Sequence, residues 1–114
     1  MNDGLADHEL LLIQKALASV SQVESVVLYG SRALGTYRPG SDIDLAIEGT
    51  ELTNEELARI AGRLDELPLP YRYDLTLRAS ISNPALRQHI DRFGVVFWQR
   101  RVPPNSTRQL TRKE

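Results

Sequence analysis

The sequence predicts an α/β or α+β protein, built as a mixed sheet of about four strands with helices packed on it. Two observations lead to this class. Apolar residues recur at helical spacing in three stretches, and these stretches alternate with short runs rich in β-branched and aromatic residues. The resulting order is helix, strand, short helix, strand, helix, strand, helix, strand, which is typical of a sheet covered by helices. A chain of 114 residues suffices for one such domain with one core.

The first half of the chain contains a helix, two strands and a brief helix between the strands. Asp7 is the predicted N-cap of the first helix, and residues 25–29 form a buried strand. Ser31 caps the brief helix, Gly35 closes it, and residues 42–47 form the second strand after a turn. Four apolar residues lie on one face of the first helix: Leu10, Ile13, Leu17 and Val20.

The second half contains two helix–strand pairs. One helix begins with a capping-box pattern at residues 53–56, and residues 71–77 alternate as expected for the third strand. The last helix begins at Asn83 with Pro84 in its first turn, and residues 95–98 form the fourth strand. Leu86, Ile90 and Phe93 are predicted to line the inner face of that last helix, with His89 on its surface.

Composition excludes several classes of protein. A net charge of −1 argues against a general nucleic-acid-binding surface, so no direct DNA binding is expected. The absence of cysteine excludes disulfides and thiolate metal sites. No apolar run reaches the ~18 residues of a membrane span, and the N-terminus lacks the basic region of a signal peptide, so a cytoplasmic protein is expected. Residues 1–100 are predicted to form one domain, and residues 101–114 a basic, flexible tail.

The turn after the first strand has the composition of a phosphate site. Gly30 lacks a Cβ, so a phosphate can approach the backbone closely, and amides at the start of the next helix point toward such a ligand. Ser31 adds a hydroxyl donor, and Arg32 is a candidate for a further contact to phosphate. The dipeptide is common, and taken alone it favours an ordinary strand-to-helix turn.

Three carboxylates provide a second signal. Asp42 and Asp44 are two residues apart and therefore project from the same face of the second strand. An exposed strand edge would explain that pair as well. Asp74, however, occurs in a separate strand of apolar and aromatic residues, where a lone carboxylate is unfavourable without a partner. Three carboxylates on adjacent strands would suit two metal ions about 3.5–4 Å apart and phosphoryl or nucleotidyl transfer.

These residues carry a family resemblance. The pattern of Gly30-Ser31, ten intervening residues, Asp42-Ile43-Asp44 and a later Asp74 resembles the nucleotidyltransferase superfamily that includes DNA polymerase β. The resemblance implies a palm-like fold, binding of the ATP triphosphate by Gly30 and Ser31, and binding of two Mg²⁺ ions by Asp42, Asp44 and Asp74. It also implies that the third carboxylate helps to deprotonate an attacking hydroxyl, so that all three acids are catalytic.

The size of the chain resembles the minimal bacterial members of this superfamily. Such proteins pair with small helical HEPN-domain toxins as antitoxins of type VII-like systems, and the resemblance implies a hetero-oligomer in which AMP passes from ATP to a toxin tyrosine. Because 114 residues leave little room for an acceptor domain, the acceptor is expected on another chain. Two alternatives remain open: a two-subunit enzyme acting on a small hydroxylated substrate such as an aminoglycoside, and a toxin-binding module without catalysis.

Overall fold

The computed structural model describes residues 3–100, which form four strands and four α-helices in the predicted order. Two neighbouring strands in the chain are separated by a single-turn helix, and a 3₁₀ turn follows the third strand. The elements are α1 (Asp7–Ala18), β1 (Ser25–Tyr29), α2 (Ser31–Leu34), β2 (Ile43–Glu48), α3 (Asn54–Asp65), β3 (Tyr73–Leu77), the 3₁₀ turn (Arg78–Ser80), α4 (Pro84–Phe93) and β4 (Val95–Gln99).

The four strands form one mixed sheet in the order β3-β2-β1-β4. Strand β1 is antiparallel to both of its neighbours, β2 and β4, whereas β2 and β3 are parallel. A parallel pair needs a crossover connection, and α3 supplies it between β2 and β3. The predicted α+β sheet with packed helices is thus confirmed.

The two faces of the sheet are covered by different helices. Side chains alternate along each strand, so Leu28 and Leu45 point to the face on which α1 and α3 pack, together with Ile13 and Ile60, and all four are 0% exposed. The opposite face carries a smaller apolar cluster formed by Val27, Tyr29, Ala46, Ile81, Ile90 and the partly buried Leu86. Helix α4 and the 3₁₀ turn therefore cover only part of this second face.

Several element boundaries differ from the prediction by one or two residues. Asp7 is the first residue of α1 rather than its N-cap; the cap is Ala6, whose N–H donates to Glu9 Oε1 at 2.9 Å. Strand β3 starts at Tyr73 because the chain from Pro68 is still a loop. Strand β2 starts at Ile43, so Asp42 lies just outside the ladder. In α2 the N-cap is Gly30 and Ser31 is the first helical residue, so the predicted Ser31 cap is wrong. The differences in β2 and α2 lie at the candidate site.

Arg100 ties the end of β4 to the loop after α1. Its Nε donates to Val23 O at 2.9 Å, and its Nη2 donates to Ala18 O and Val20 O at 3.3 and 3.2 Å. A guanidinium near the last carbonyls of a helix satisfies their hydrogen-bonding capacity and the helix dipole. The predicted tail begins at the next residue and lies outside the described residues. Within residues 3–100, no helix combines the length and apolar character that a bilayer crossing requires.

One buried hydroxyl gives a prediction about stability. Tyr73 Oη has no hydrogen-bond partner among the described residues, and burial, followed by the nearby Tyr71, raises the pKa of Tyr73 to about 12. Tyr73→Phe removes the unpaired group, so we expect it to raise the free energy of unfolding by about 1 kcal/mol in urea titrations. Tyr71→Phe is the matched control: its hydroxyl donates to Glu9 Oε1 at 2.7 Å, so it should lose stability. Equal losses in both variants would contradict the prediction.

Candidate active site

A single row of paired residues crosses three strands of the sheet. Tyr29 on β1 pairs with Asp44 on β2, and Asp44 pairs with Asp74 on β3. Residues paired across a ladder point to the same face, and adjacent strands lie about 4.8 Å apart. The structure therefore brings Asp44 and Asp74 together on the face that α4 covers incompletely. Asp74 is exposed, whereas Asp44 is only partly accessible.

Asp42 lies at the edge of this pair. It is an exposed residue immediately before β2, and its Oδ1 is 3.4 Å from Nε of Arg72, whose side chain is 84% exposed. Ion pairs at such exposure contribute little stability and are screened by salt. The contact leaves the Asp42 carboxylate available to a divalent cation. The negative charge of Asp42 also raises the pKa of the Asp44 carboxyl.

Gly30 brings the turn after β1 directly against Asp44. Its φ of 77° and ψ of −154° lie in a region that is essentially restricted to glycine. A Cβ on Gly30 would also overlap Oδ2 of Asp44. The Gly30 carbonyl accepts the N–H of Leu34 at 3.1 Å, which sets Ser31 as the first residue of α2. The predicted phosphate turn and the carboxylate pair are thus neighbours in space.

The carboxylates make the site electrostatically strained in the absence of a cation. Burial raises the pKa of the Asp44 carboxyl above its ordinary value, and the negative charges of Asp74 and then Asp42 raise it further. The positive charge of Arg32 acts in the opposite direction but is a smaller influence. A group with this environment gains from a bound cation, and such groups cluster at functional sites.

The donor set suits Mg²⁺ that shares its ligands with a substrate. No three His, Cys, Asp or Glu side chains within residues 3–100 converge closely enough to enclose a metal by themselves. The three-carboxylate metal site of Asp42, Asp44 and Asp74 stays a prediction. Mg²⁺ commonly takes one or two carboxylates and completes its octahedron with water and substrate phosphates. Asp44 and Asp74, with the phosphate turn beside them, match that pattern.

Arg32, a predicted phosphate contact, serves a structural purpose in this structure. Its side chain is 3% exposed and lies over the rings of Tyr37 and Tyr71, at 5.1 and 5.2 Å from their centroids. Nη1 donates to Asp3 O at 2.9 Å, while Nε and Nη2 donate to Ser41 O at 3.3 and 2.9 Å. Because Ser41 precedes Asp42, Arg32 anchors the loop that carries the first carboxylate.

His89 belongs to the site although the sequence predicted it on the helix surface. It is partly buried on α4, and its Nε2 accepts the Gly30 N–H at 3.2 Å. Its ring packs edge-on against Tyr29, with centroids 6.3 Å apart, and lies 5.5 Å from that of Phe93. A signal was present, since residue 89 is three after Leu86 and four before Phe93 on the same helix face. Phe93, predicted to point inward, is 46% exposed.

The anchoring of Ser41 by Arg32 gives a prediction. Arg32→Met keeps the aliphatic volume but leaves buried backbone carbonyls without donors, so we expect the free energy of unfolding to fall by about 2–4 kcal/mol. Thermal or urea unfolding measures this loss. Arg38→Met is the matched control because Arg38 is exposed, and it should change stability by less than about 0.5 kcal/mol. If both variants unfolded alike, the anchoring role would be wrong.

Comparison with known proteins gives a consistent family. A family model described as polymerase beta, nucleotidyltransferase, matches residues 12–101. A search of curated proteins finds no match. Among solved structures, a toxin–antitoxin complex with AMP-PNP contains a chain that is 27% identical, with a TM-score of 0.66 over 80% of this chain and 73% of the other.

Two further solved structures share the fold at lower identity. The toxin–antitoxin complex MntA-HepT matches at 24% identity and a TM-score of 0.58, over 80% of this chain and 70% of the other. A tri-AMPylated Shewanella oneidensis HEPN toxin in complex with an MNT antitoxin matches at 21% identity and a TM-score of 0.54, over 80% and 73%. Because the family model spans all four strands together with Asp44 and Asp74, this chain belongs to the polymerase β-like nucleotidyltransferases, and its fold resembles that of a chain in the MntA-HepT complex.

Proposed function

We propose that this chain is a Mg²⁺-dependent nucleotidyltransferase that moves AMP from ATP to a hydroxyl, that of a tyrosine, on a HEPN-domain partner protein, and that it thereby acts as the antitoxin of that partner. One observation carries the proposal: Asp44 and Asp74 are paired across β2 and β3, and the Gly30 turn lies against the Asp44 carboxylate. A carboxylate pair beside a phosphate turn is the arrangement that metal-assisted nucleotidyl transfer needs.

Each residue of the site has a role in this reaction. Gly30 and Ser31 bind the triphosphate, for which Gly30 provides a close backbone approach. Asp42, Asp44 and Asp74 hold Mg²⁺, which when bound neutralises charge on the phosphates and makes the α-phosphorus more electrophilic. We assign Arg32 to holding the Ser41–Asp42 loop rather than to the phosphates, because its donors are engaged by backbone carbonyls.

Asp44 and Asp74 differ in exposure, and their proposed roles in the reaction differ accordingly. Asp74 is exposed and can meet a hydroxyl carried by another molecule, whereas Asp44 is more buried. The acceptor oxygen attacks the α-phosphorus of ATP, and a new P–O bond forms as the bond from the α-phosphorus to the bridging oxygen breaks. Pyrophosphate leaves, and the hydroxyl proton passes to the Asp74 carboxylate.

The choice of donor and acceptor is supported by the structural relatives. One is a toxin–antitoxin complex with the ATP analogue AMP-PNP, and another pairs an MNT antitoxin with a tri-AMPylated HEPN toxin. For this chain we infer ATP as the donor, a small helical HEPN-domain protein as the acceptor, and a hetero-oligomer of the two. The site lies on an open face of the sheet, where an acceptor on a second molecule can reach Asp74.

Adenylation of the partner is the direct test. When the chain is incubated with a HEPN-domain partner, ATP and Mg²⁺, we expect intact-mass spectrometry to show one or more added adenylates on a partner tyrosine. Asp74→Asn should slow the transfer by about 10²–10⁴-fold, because it removes the proton acceptor. Asp65→Asn removes an exposed carboxylate at the end of α3 and should leave the rate unchanged.

Three outcomes would contradict different parts of the proposal. An inert mixture of wild-type chain, partner, ATP and Mg²⁺ would overturn the proposed function. Transfer by wild-type protein that persisted in Asp74→Asn would leave the activity in place but remove the role of Asp74. Neutralisation of the partner by a variant with Asn at all three acidic positions would instead favour a binding module without catalysis.

The raised pKa of Asp44 predicts a dependence of stability on pH. A carboxyl whose folded pKa is raised stabilises the fold below its ordinary value of 3.8, and this contribution is lost as the pH rises through the folded pKa. At neutral pH without divalent cations, Asp44→Asn should therefore raise the free energy of unfolding, by at most about 1 kcal/mol because the group is partly screened by solvent.

The measurement is thermal unfolding from about pH 4 to about pH 8, with and without Mg²⁺. The advantage of Asp44→Asn over wild type should shrink as the pH falls, and Mg²⁺ should stabilise wild type more than the variant. Asp65→Asn again serves as the control. A gain in stability that did not depend on pH would show that charge on Asp44 is not its cause.

A further inference from the structure

The proposed reaction leaves one residue beside the site without a role. His89 is a partly buried imidazole on α4, and its Nε2 accepts the N–H of Gly30 at 3.2 Å. Gly30 belongs to the turn that is proposed to bind the triphosphate, and its Cα lies against Asp44. The imidazole is thus one hydrogen bond away from the turn and adjacent to the carboxylate row.

The position of this imidazole is determined by packing. Ile90, the next residue of α4, is 2% exposed in the cluster with Val27 and Ala46, so the helix is fixed against the sheet. The ring of Tyr29 meets the imidazole edge-on at an interplanar angle of 77°, and the ring of Phe93 is tilted against it at 48°. An acceptor whose ring already packs against two aromatic rings loses little conformational entropy when it accepts a hydrogen bond.

Gly30 needs such a restraint. Glycine explores more backbone conformations than any other residue, and a φ of 77° with a ψ of −154° is one of many open to it. The β1–β2 ladder ends at the Tyr29–Asp44 pair, immediately before Gly30. The Leu34 N–H holds the Gly30 carbonyl from α2, and His89 Nε2 holds the Gly30 N–H from α4. These two contacts define the peptide planes on either side of the glycine.

We propose that His89 is a positioning residue of the nucleotide site, which holds the Gly30–Ser31 turn in the conformation that receives the triphosphate. This role rests on the proposed function. Because Nε2 accepts a hydrogen bond, the imidazole is neutral and carries its proton on Nδ1. The imidazole acts through the backbone of Gly30 rather than on the reacting atoms, so its loss should weaken nucleotide binding without removing the carboxylates.

Calorimetric titration of the full-length chain with Mg²⁺ and the α,β-methylene analogue of ATP tests this role, since the analogue cannot transfer AMP. His89→Ala should weaken binding by about three- to tenfold, the effect of one lost hydrogen bond. His89→Gln places an amide oxygen near the Nε2 position and should restore most of the affinity. Gln88→Ala changes the exposed neighbour on α4 and should match wild type.

Stoichiometry distinguishes positioning from a purely structural role. If His89 only supported folding, His89→Ala would lower the number of binding sites per chain while the folded molecules kept the wild-type affinity. The proposal requires the opposite, a full number of sites with weaker affinity. Affinity in His89→Ala that equals or exceeds that of wild type would overturn the role, as would failure of His89→Gln to restore binding.

The same titration separates this role from the proposed function. Wild-type protein that did not bind the analogue in the presence of Mg²⁺ would overturn the nucleotidyltransferase proposal, and the role of His89 with it. Wild-type binding together with unaltered binding by His89→Ala would overturn the role of His89 alone.

Discussion

Asp44 and Asp74 lie side by side on two parallel strands, about one strand spacing of 4.8 Å apart, and two like charges at that separation repel each other. The rest of the fold holds this pair in place. Strand β2 lies in the interior of the sheet, and its other face is anchored in the main core by Ile43, Leu45 and Ile47, each at most 1% exposed. Burial on one face of β2 thus supports an unfavourable arrangement on the other.

The residues around Asp44 and Asp74 also accommodate this pair of like charges. Gly30 leaves room for the Asp44 carboxylate where a Cβ would overlap it, so the turn after β1 lies directly against that carboxylate. Arg32 is buried and fixes the loop before Asp42 through the Ser41 carbonyl. Helix α4 packs on Val27 and Ala46 but leaves the carboxylate end of the sheet open. A group of like charges that is costly in isolation is in this way kept on an open part of the sheet.

The family match and the geometry of the site are independent observations, and they agree. The family model covers residues 12–101 and therefore includes every strand, while the strand register by itself places two carboxylates beside a glycine turn. Membership makes nucleotidyl transfer the expected chemistry. The geometry distinguishes the two paired carboxylates, because Asp44 is partly buried and Asp74 is exposed.

Local patterns in the sequence determined the order of the secondary-structure elements and part of the candidate site. The order of helices and strands, the Gly30 turn and the alternation that separates Asp44 from Ile43 follow from short-range rules of periodicity and turn chemistry. The contacts made by Arg32, Asp42 and His89 depended on which distant segments came together: Arg32 meets the N-terminal backbone, Asp42 meets Arg72, and His89 meets Gly30, 59 residues away. Side-chain roles of this kind are set by packing between elements, which spacing along the chain does not encode.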